Sequence, residues 1–325
     1  LNFENKINKR VKMKYLISLI TLIAIGISGD GVLGGKVYYD YTHDFTEEAI
    51  NDDGFALKRV YFTYKKVISN GISFKLTTDI DYKESPKNLY LKYAMLNWKS
   101  PVGKLTFGQQ GMNVFNVQEK TWGFRFIEKS PMDLHKFSSS ADMGVGYSGK
   151  VNEIHYSLLI TNGTGYKKTE SDEYKKISGQ LIYGEKQLIK KDGYNAGLSF
   201  STEPYEVDSV TTENKNVISL FGGFAGGNLR IGGEFDLLTD AATDETQQII
   251  AFYTSYAVTE NLEGLVYIDM FDPNTNTDKD GKTYLVAGVN YYPGKGLIIS
   301  PNIRMTTPEE GDNTTIFKVN FQFKF

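Results

Sequence analysis

The sequence predicts an all-β protein, a transmembrane antiparallel β-barrel of about sixteen strands with a long, inward-folded third extracellular loop. Three observations carry that reading. Thr315 to Phe325 reads TIFKVNFQFKF, with Phe317, Val319, Phe321, Phe323 and Phe325 on one face and Lys318, Asn320, Gln322 and Lys324 on the other. A period of two is a strand with one apolar and one wet side, and in a membrane barrel it shows Phe to lipid and Lys or Gln to a watery lumen. The connections between strand-like segments are short and long by turns, the pattern of periplasmic turns and extracellular loops. Finally, the 325 residues have a mean hydropathy of −0.34. Barrels hide their membrane character in such averages, because half of each strand is polar.

In chain order, residues 1–28 read as a signal peptide. Lys6, Lys9, Arg10, Lys12 and Lys14 form a basic start. Tyr15 to Ile27 is an apolar stretch long enough for a signal core and shorter than the ~20 residues of a membrane span. Ser28 and Gly29 follow as small residues near a cleavage site, and Met13 is a candidate for the true start. Residues 1–28 hold five Lys or Arg against one Glu, so without them the formal charge of −3 becomes −7. That acidic balance argues against nucleic acid as a partner. With no Cys, the chain has no thiol nucleophile, disulfide scaffold or Cys zinc site.

Residues 29–325 read as one barrel domain, since no Pro/Ser-rich linker divides them. The first strand, Lys36 to Phe45, is expected to pair with the last, because an open edge in the bilayer would strand its backbone N–H and C=O groups. Alternation is clean in Ile72–Tyr82, in Ile154–Thr161, in Leu229–Leu237 and in Leu297–Thr306, and blurred in Lys175–Lys190 and Gln247–Val258. Short turns fall at Ser69–Gly71, Ser100–Gly103, Gly149–Asn152, Gly226–Asn228, Thr259–Asn261 and Pro293–Lys295. Longer polar connections fall at 44–54, 111–140, 162–175, 203–215, 239–246, 271–282 and 307–313. The connection at 185–192 is a short turn by position yet rather long.

The longest connection, Gly111 to Ser140, carries Phe115, Trp122, Phe124, Phe126 and Phe137 among many charges. So many aromatics suit a loop that packs inside the barrel and narrows it, with a site on the outer surface or at a subunit contact as the alternative. Lys120, Arg125, Lys129 and Lys136 are then candidate constriction residues. Alternation also turns Arg59, Lys75, Arg230 and Arg304 inward as candidate pore lining, with Lys65, Lys318 and Lys324. Asp79, Asp81, Glu234, Asp236 and Asp269 point inward too, so the predicted lumen is mixed in charge.

The segments GKLTFGQQG, FIEKS, SSSADMGVGYSG and YSLLITNGTGY between Gly103 and Tyr166 resemble the phosphate-selective porin family of the O and P type. The resemblance implies a sixteen-stranded, homotrimeric outer-membrane channel with its third loop folded inward. It implies passive diffusion of small hydrophilic solutes or inorganic anions, with an anion or phosphate preference. The lipid bilayer is the expected surroundings, and Phe325 the expected signal to the barrel-assembly machinery. The chain departs from that family in having five Arg, at 10, 59, 125, 230 and 304, where phosphate favours bidentate Arg.

Other readings are weaker. No nucleotide fingerprint, phosphate loop or metal motif is present, no cofactor is expected, and an enzyme is not expected. His135 lies near Asp133 and Ser138 in sequence, but hydrolytic chemistry needs a geometry that spacing does not show. Asp272, Asn274, Asn276, Asp278 and Asp280 look faintly like a calcium loop; the Gly281 position does not fit, and a solvated hairpin tip suits them better. A non-conducting barrel serving as adhesin or scaffold is the alternative function.

Overall fold

The computed structural model describes residues 31–46, 53–81, 87–170, 172–208 and 211–325. The expected leader at 1–28 lies outside them. Sixteen strands form in chain order: β1 (Val32–Asp44), β2 (Gly54–Ser69), β3 (Ile72–Asp81), β4 (Asn88–Ser100), β5 (Gly103–Gly111), β6 (Ala141–Val151), β7 (Ile154–Thr161) and β8 (Lys176–Gly184). There follow β9 (Gly193–Glu206), β10 (Thr212–Gly226), β11 (Leu229–Asp240), β12 (Glu245–Thr259), β13 (Leu262–Asp272), β14 (Lys282–Gly294), β15 (Leu297–Pro308) and β16 (Thr314–Lys324). Each strand pairs antiparallel with its neighbours in sequence, and β1 pairs with β16 to close the barrel. Tyr39 sits opposite Phe321 and Asp40 opposite Asn320 across that seam. Closure leaves no sheet edge, which a bilayer would not tolerate.

The predicted faces hold in the last strand. Tyr39 and Phe321 stack on the outside with ring centroids 4.6 Å apart, while Asn320 is buried on the inside. Leu158, Ile160, Ile218, Leu220 and Ile303 are half-exposed on the outer wall. An apolar band of this kind is what a membrane-spanning barrel presents to lipid.

The blurring of Gln247–Val258 has a physical cause. On β12 the inward residues Ile249, Ala251 and Tyr253 are apolar and buried, and Tyr267 on β13 and Val286 on β14 repeat this. These positions face the long loop, not water, so both sides of the strand are apolar and the period of two fades. On β3 the clean alternation ends early. A bulge between β3 and β4 breaks the register at Thr77/Thr78, and Thr77, Thr78, Asp79 and Ile80 are all buried.

Candidate functional site

The loop between β5 and β6 lies inside the barrel. It carries two short helices, α1 (Asn116–Trp122) and α2 (Pro131–Leu134). Gly123 ends α1 at φ +81, a left-handed cap that glycine adopts without a Cβ clash. Trp122, Phe124, Phe126 and Ile127 pack with Tyr38, Tyr253, Leu265, Tyr267 and Val286 of the wall. Val114, Phe115, Met132 and Phe137 pack against Val217, Ile249 and Ala251. The wall is thinned to receive α1: a Cβ added at Gly223 or Gly232 would meet Thr121 Cγ2 at 2.7 Å. The glycine pairs of β10 and β11 thus make room for a helix.

Polar ties run from strand to strand. Ser178 on β8 donates to Asn113 at 2.7 Å, and Gln118 donates to Ser219 on β10 at 3.2 Å. Arg230 on β11 donates to the Trp122 carbonyl at 3.3 Å, with its guanidinium 4.7 Å from the Phe124 ring centroid. His135 meets Asp269 on β13 at 2.8 Å, and Tyr284 on β14 donates to Glu128 at 2.8 Å. Arg304 on β15 pairs with Glu128 at 2.7 Å and donates to the Ile127 carbonyl at 2.6 Å. Asn320 on β16 donates to the Phe126 carbonyl at 3.2 Å. With Asn113 also donating to Ser157 on β7 at 3.0 Å, the loop lines the wall from β7 round to β16 and leaves β2 to β5 facing open space.

That course changes the charge of the lumen. Glu234, Asp236 and Asp269 are 5%, 0% and 0% exposed on the wall behind the loop. Other inward acids are matched by cations: Asp79 by Arg59 at 2.8 Å, and Asp40 by Lys58 and Lys318 at 3.5 and 3.6 Å. The open space beside β2–β5 is a cavity of about 750 Å³, and a side chamber of about 250 Å³ adjoins it. Lys36, Lys65, Lys75 and Lys92 line the larger cavity from the wall, Lys120 and Arg125 from the loop, and Lys190 and Lys324 near the short-turn end. Lys104 adds a further cation in the side chamber. Glu119 is the one acidic side chain among the described residues lining the larger cavity. The mixed lumen predicted by alternation becomes, around the larger cavity, a basic one.

Two of these lumen lysines escape the period-two reading. Tyr38 pairs with Arg59 and Tyr39 with Leu57, so Lys58 is the extra residue of a bulge. Thr77 pairs with Tyr93 and Thr78 with Leu91, so Lys92 is another. A bulge resets the phase and turns inward a residue that strict alternation places outside. Lys92 ends up buried, bonded to the Tyr61 hydroxyl at 3.3 Å and within 6 Å of the Tyr61, Tyr93 and Tyr166 ring centroids. No sequence signal marks either bulge.

The candidate residues separate into three groups. Lys75 and Lys120 face the open cavity. Arg125 also borders it, but is held between Glu119 and Asp133, the latter at 2.5 Å. Burial pushes the Asp133 carboxyl up, and the charges of Arg125 and Lys129 with the Arg125 hydrogen bond together more than reverse this, leaving it below the usual carboxylate range. Arg230 and Arg304 point inward as the alternation implies, yet they are spent on the loop, and Arg59 is spent on Asp79. Lys129 and Lys136 are not among the residues lining either cavity.

His135 bonds to Asp269, while Ser138 donates to the Ser139 carbonyl at 3.4 Å, so the three residues near one another in sequence do not form a relay. At the tip after β13, Asp272 and Asn274 accept backbone N–H groups from Asn274 and Asn276 in successive Asx turns.

No protein-family model matches this chain, and no curated protein matches it in sequence. Solved structures do share its fold. An anion-selective porin from Comamonas acidovorans superposes with a TM-score of 0.71 at 12% identity, covering 91% of this chain and 99% of that one. OmpF of Salmonella typhi in complex with daunomycin gives 0.69 at 12%, covering 91% and 97%. OmpT of Vibrio cholerae, an outer membrane protein in its trimer form, gives 0.63 at 13%, covering 91% and 99%. At such identities the likeness is one of fold: this chain has the general porin fold of the outer membrane.

Proposed function

We propose that this chain is a passive diffusion channel in the outer membrane of a Gram-negative-type bacterium, open to small hydrophilic solutes and preferring inorganic anions. One observation carries the reading: among the described residues, eight Lys or Arg side chains line the open cavity against a single Glu. A water-filled passage with low-dielectric walls and one sign of charge concentrates ions of the opposite sign. The contribution of the protein is a wall, a constriction and a field. In this reading no bond is made or broken, and His135 is held by Asp269 and stacked on Phe271.

The preference is for anions in general. Seven of the eight cations are Lys, which act as point charges, and the one Arg is already engaged by two carboxylates. Such a site attracts phosphate without gripping it, and the likeness to the phosphate-selective family in Gly103–Tyr166 supports passage of phosphate as one anion among several. A homotrimer fits the same resemblance and the trimer form of the Vibrio protein.

Planar-bilayer recording tests the proposal. Discrete current steps, with reversal potentials in unequal KCl displaced toward the chloride potential, are expected. An absence of steps would favour the scaffold or adhesin reading, and a displacement toward the potassium potential would remove the anion preference. Adding phosphate then gives its permeability relative to chloride.

A further inference from the structure

The turn at 185–192 leaves eight residues between β8 and β9, where the other six turns on its side of the barrel leave two. It folds into the lumen. Leu188 is buried, at 2% exposed. A Cβ at Gly223 would meet Leu188 Cδ1 at 3.0 Å, beside the contact it would make with Thr121 of α1. Ile189 lies against Gly123, the residue that ends α1. The tip of the turn therefore seats under the base of the inward loop, where apolar burial holds it.

Hydrogen bonds fix its shape. Asn195 on β9 donates to the Glu185 carbonyl at 2.7 Å, the Gln187 N–H donates to the Glu185 side chain at 2.9 Å, and the Lys190 N–H donates to the Gln187 carbonyl at 2.8 Å. Lys191 is paired with Glu185 at 3.7 Å, is 69% exposed at its side chain and is not among the residues lining the cavity. Lys190 borders the cavity together with Lys36 and Lys120. The Lys120 ammonium is pushed below its ordinary value first by burial and next by the charge of Lys186, with Lys104 and Lys190 adding to it. Lys186 is likewise pushed down, by burial first and then by Lys104. The turn thus brings Lys190 to the cavity and carries Lys186 beside Gln187, which also lines it.

We propose that this turn is a second selectivity filter, in which a strap anchored by Leu188 and Ile189 holds Lys186 and Lys190 across the short-turn mouth to admit inorganic anions and repel cations. The inference rests on the channel reading and deepens it. Without the strap, a two-residue turn would leave this mouth wide and the charges of Lys36, Lys120 and Lys324 unreinforced. Its placement extends the basic lining supplied by the loop to the short-turn mouth of the same cavity.

The test is the double variant Lys186→Ser/Lys190→Ser, recorded with KCl or inorganic phosphate gradients at low and high salt. The anion-to-cation permeability ratio is expected to fall about twofold when mean salt is ~0.1 M. The effect is expected to fade at ~1 M, where the screening length drops from ~10 to ~3 Å. Lys191→Ser is expected to leave the ratio unchanged. Wild-type channels that prefer anions, with the double variant indistinguishable at low salt, would overturn the filter and spare the channel reading. A change of equal size at both salts, or an equal change in Lys191→Ser, would overturn it too, because a steric or distant effect would then explain the loss. Wild-type protein that gives no steps, or steps selective for cations, would overturn both.

Discussion

Arg304 on β15 holds Glu128 of the inward loop at 2.7 Å, and its second terminal nitrogen donates to the Ile127 carbonyl at 2.6 Å. Tyr284 and Asn320 complete the same knot. An arginine predicted to line the pore is instead the clamp that keeps the pore wall covered. Both partners are largely buried, with side chains 8% and 13% exposed. Removing one side of a buried pair costs about 3–5 kcal/mol, because the other charge is stranded. Arg304→Ala is expected to lose stability on that scale in urea titration of the detergent-solubilised protein, and to give noisier open-channel current.

The apolar half of the loop anchor makes a separate prediction. Trp122 is 1% exposed and its ring lies 5.1 Å from that of Tyr267. Truncating a buried Trp costs about 3–5 kcal/mol through lost burial and the cavity left behind. Trp122→Ala is expected to lower the urea midpoint accordingly while single-channel conductance rises, since the loop then sits less firmly in the lumen. An unchanged midpoint would show that the loop does not depend on this pocket.

Two cations on the same loop should behave differently. Lys120 faces the open cavity, whereas the charge of Arg125 is offset by Glu119 and Asp133. Lys120→Ser is expected to reduce the anion-to-cation permeability ratio more than Arg125→Ala does. Arg125→Ala should instead cost stability, because it frees two carboxylates. Reversal potentials and urea midpoints measured on the two variants give both orderings, and the opposite order in either would refute this division of roles.

Acid should loosen the loop through Asp133. Burial is the largest influence on its folded carboxyl and raises it, but the charges of Arg125, Lys129 and Lys92 and the Arg125 hydrogen bond together bring it below the ordinary value of 3.8. The unfolded chain therefore takes up the proton more readily than the folded one. The stabilisation is fully present above the unfolded value and is lost as pH falls through the folded one. Urea midpoints of wild type and Asp133→Asn are expected to converge as pH drops below about 4. Midpoints that differ by a constant amount across that range would exclude the carboxylate as the cause.

The two faces of β16 give a contrast. Val319 lies midway along the strand on the lipid side, opposite Tyr41 and Pro301, while Gln322 lines the cavity. An Arg on the lipid face near the bilayer midplane costs about 2–4 kcal/mol, and one in a wet lumen costs little. Val319→Arg is expected to reduce folding into lipid vesicles, with Gln322→Arg close to wild type. Equal losses would contradict the assignment of faces.

The barrel was legible because its rules are local. The alternation of Phe317, Val319, Phe321 and Phe323 with Lys318, Asn320 and Gln322 follows from the pleat, and the sorting of turns from loops follows from the membrane having two sides. The aromatic content of Gly111–Ser140 likewise announced a packed loop. The approximate strand count, the closing pair and most of the inward-facing residues follow from such short-range patterns. What the residues alone left undecided was which inward charges meet solute. That depends on the loop touching strands more than a hundred residues away: Glu128 with Arg304, Gln118 with Ser219, His135 with Asp269. It depends also on bulges at Lys58 and Lys92, which reverse the phase by one residue. Alternation determined the cylinder and its two faces. Only the tertiary packing decided the sign of its field, by covering Glu234, Asp236 and Asp269 and leaving lysines beside the open water, because an ion responds to the charges it can approach and not to the total along the chain.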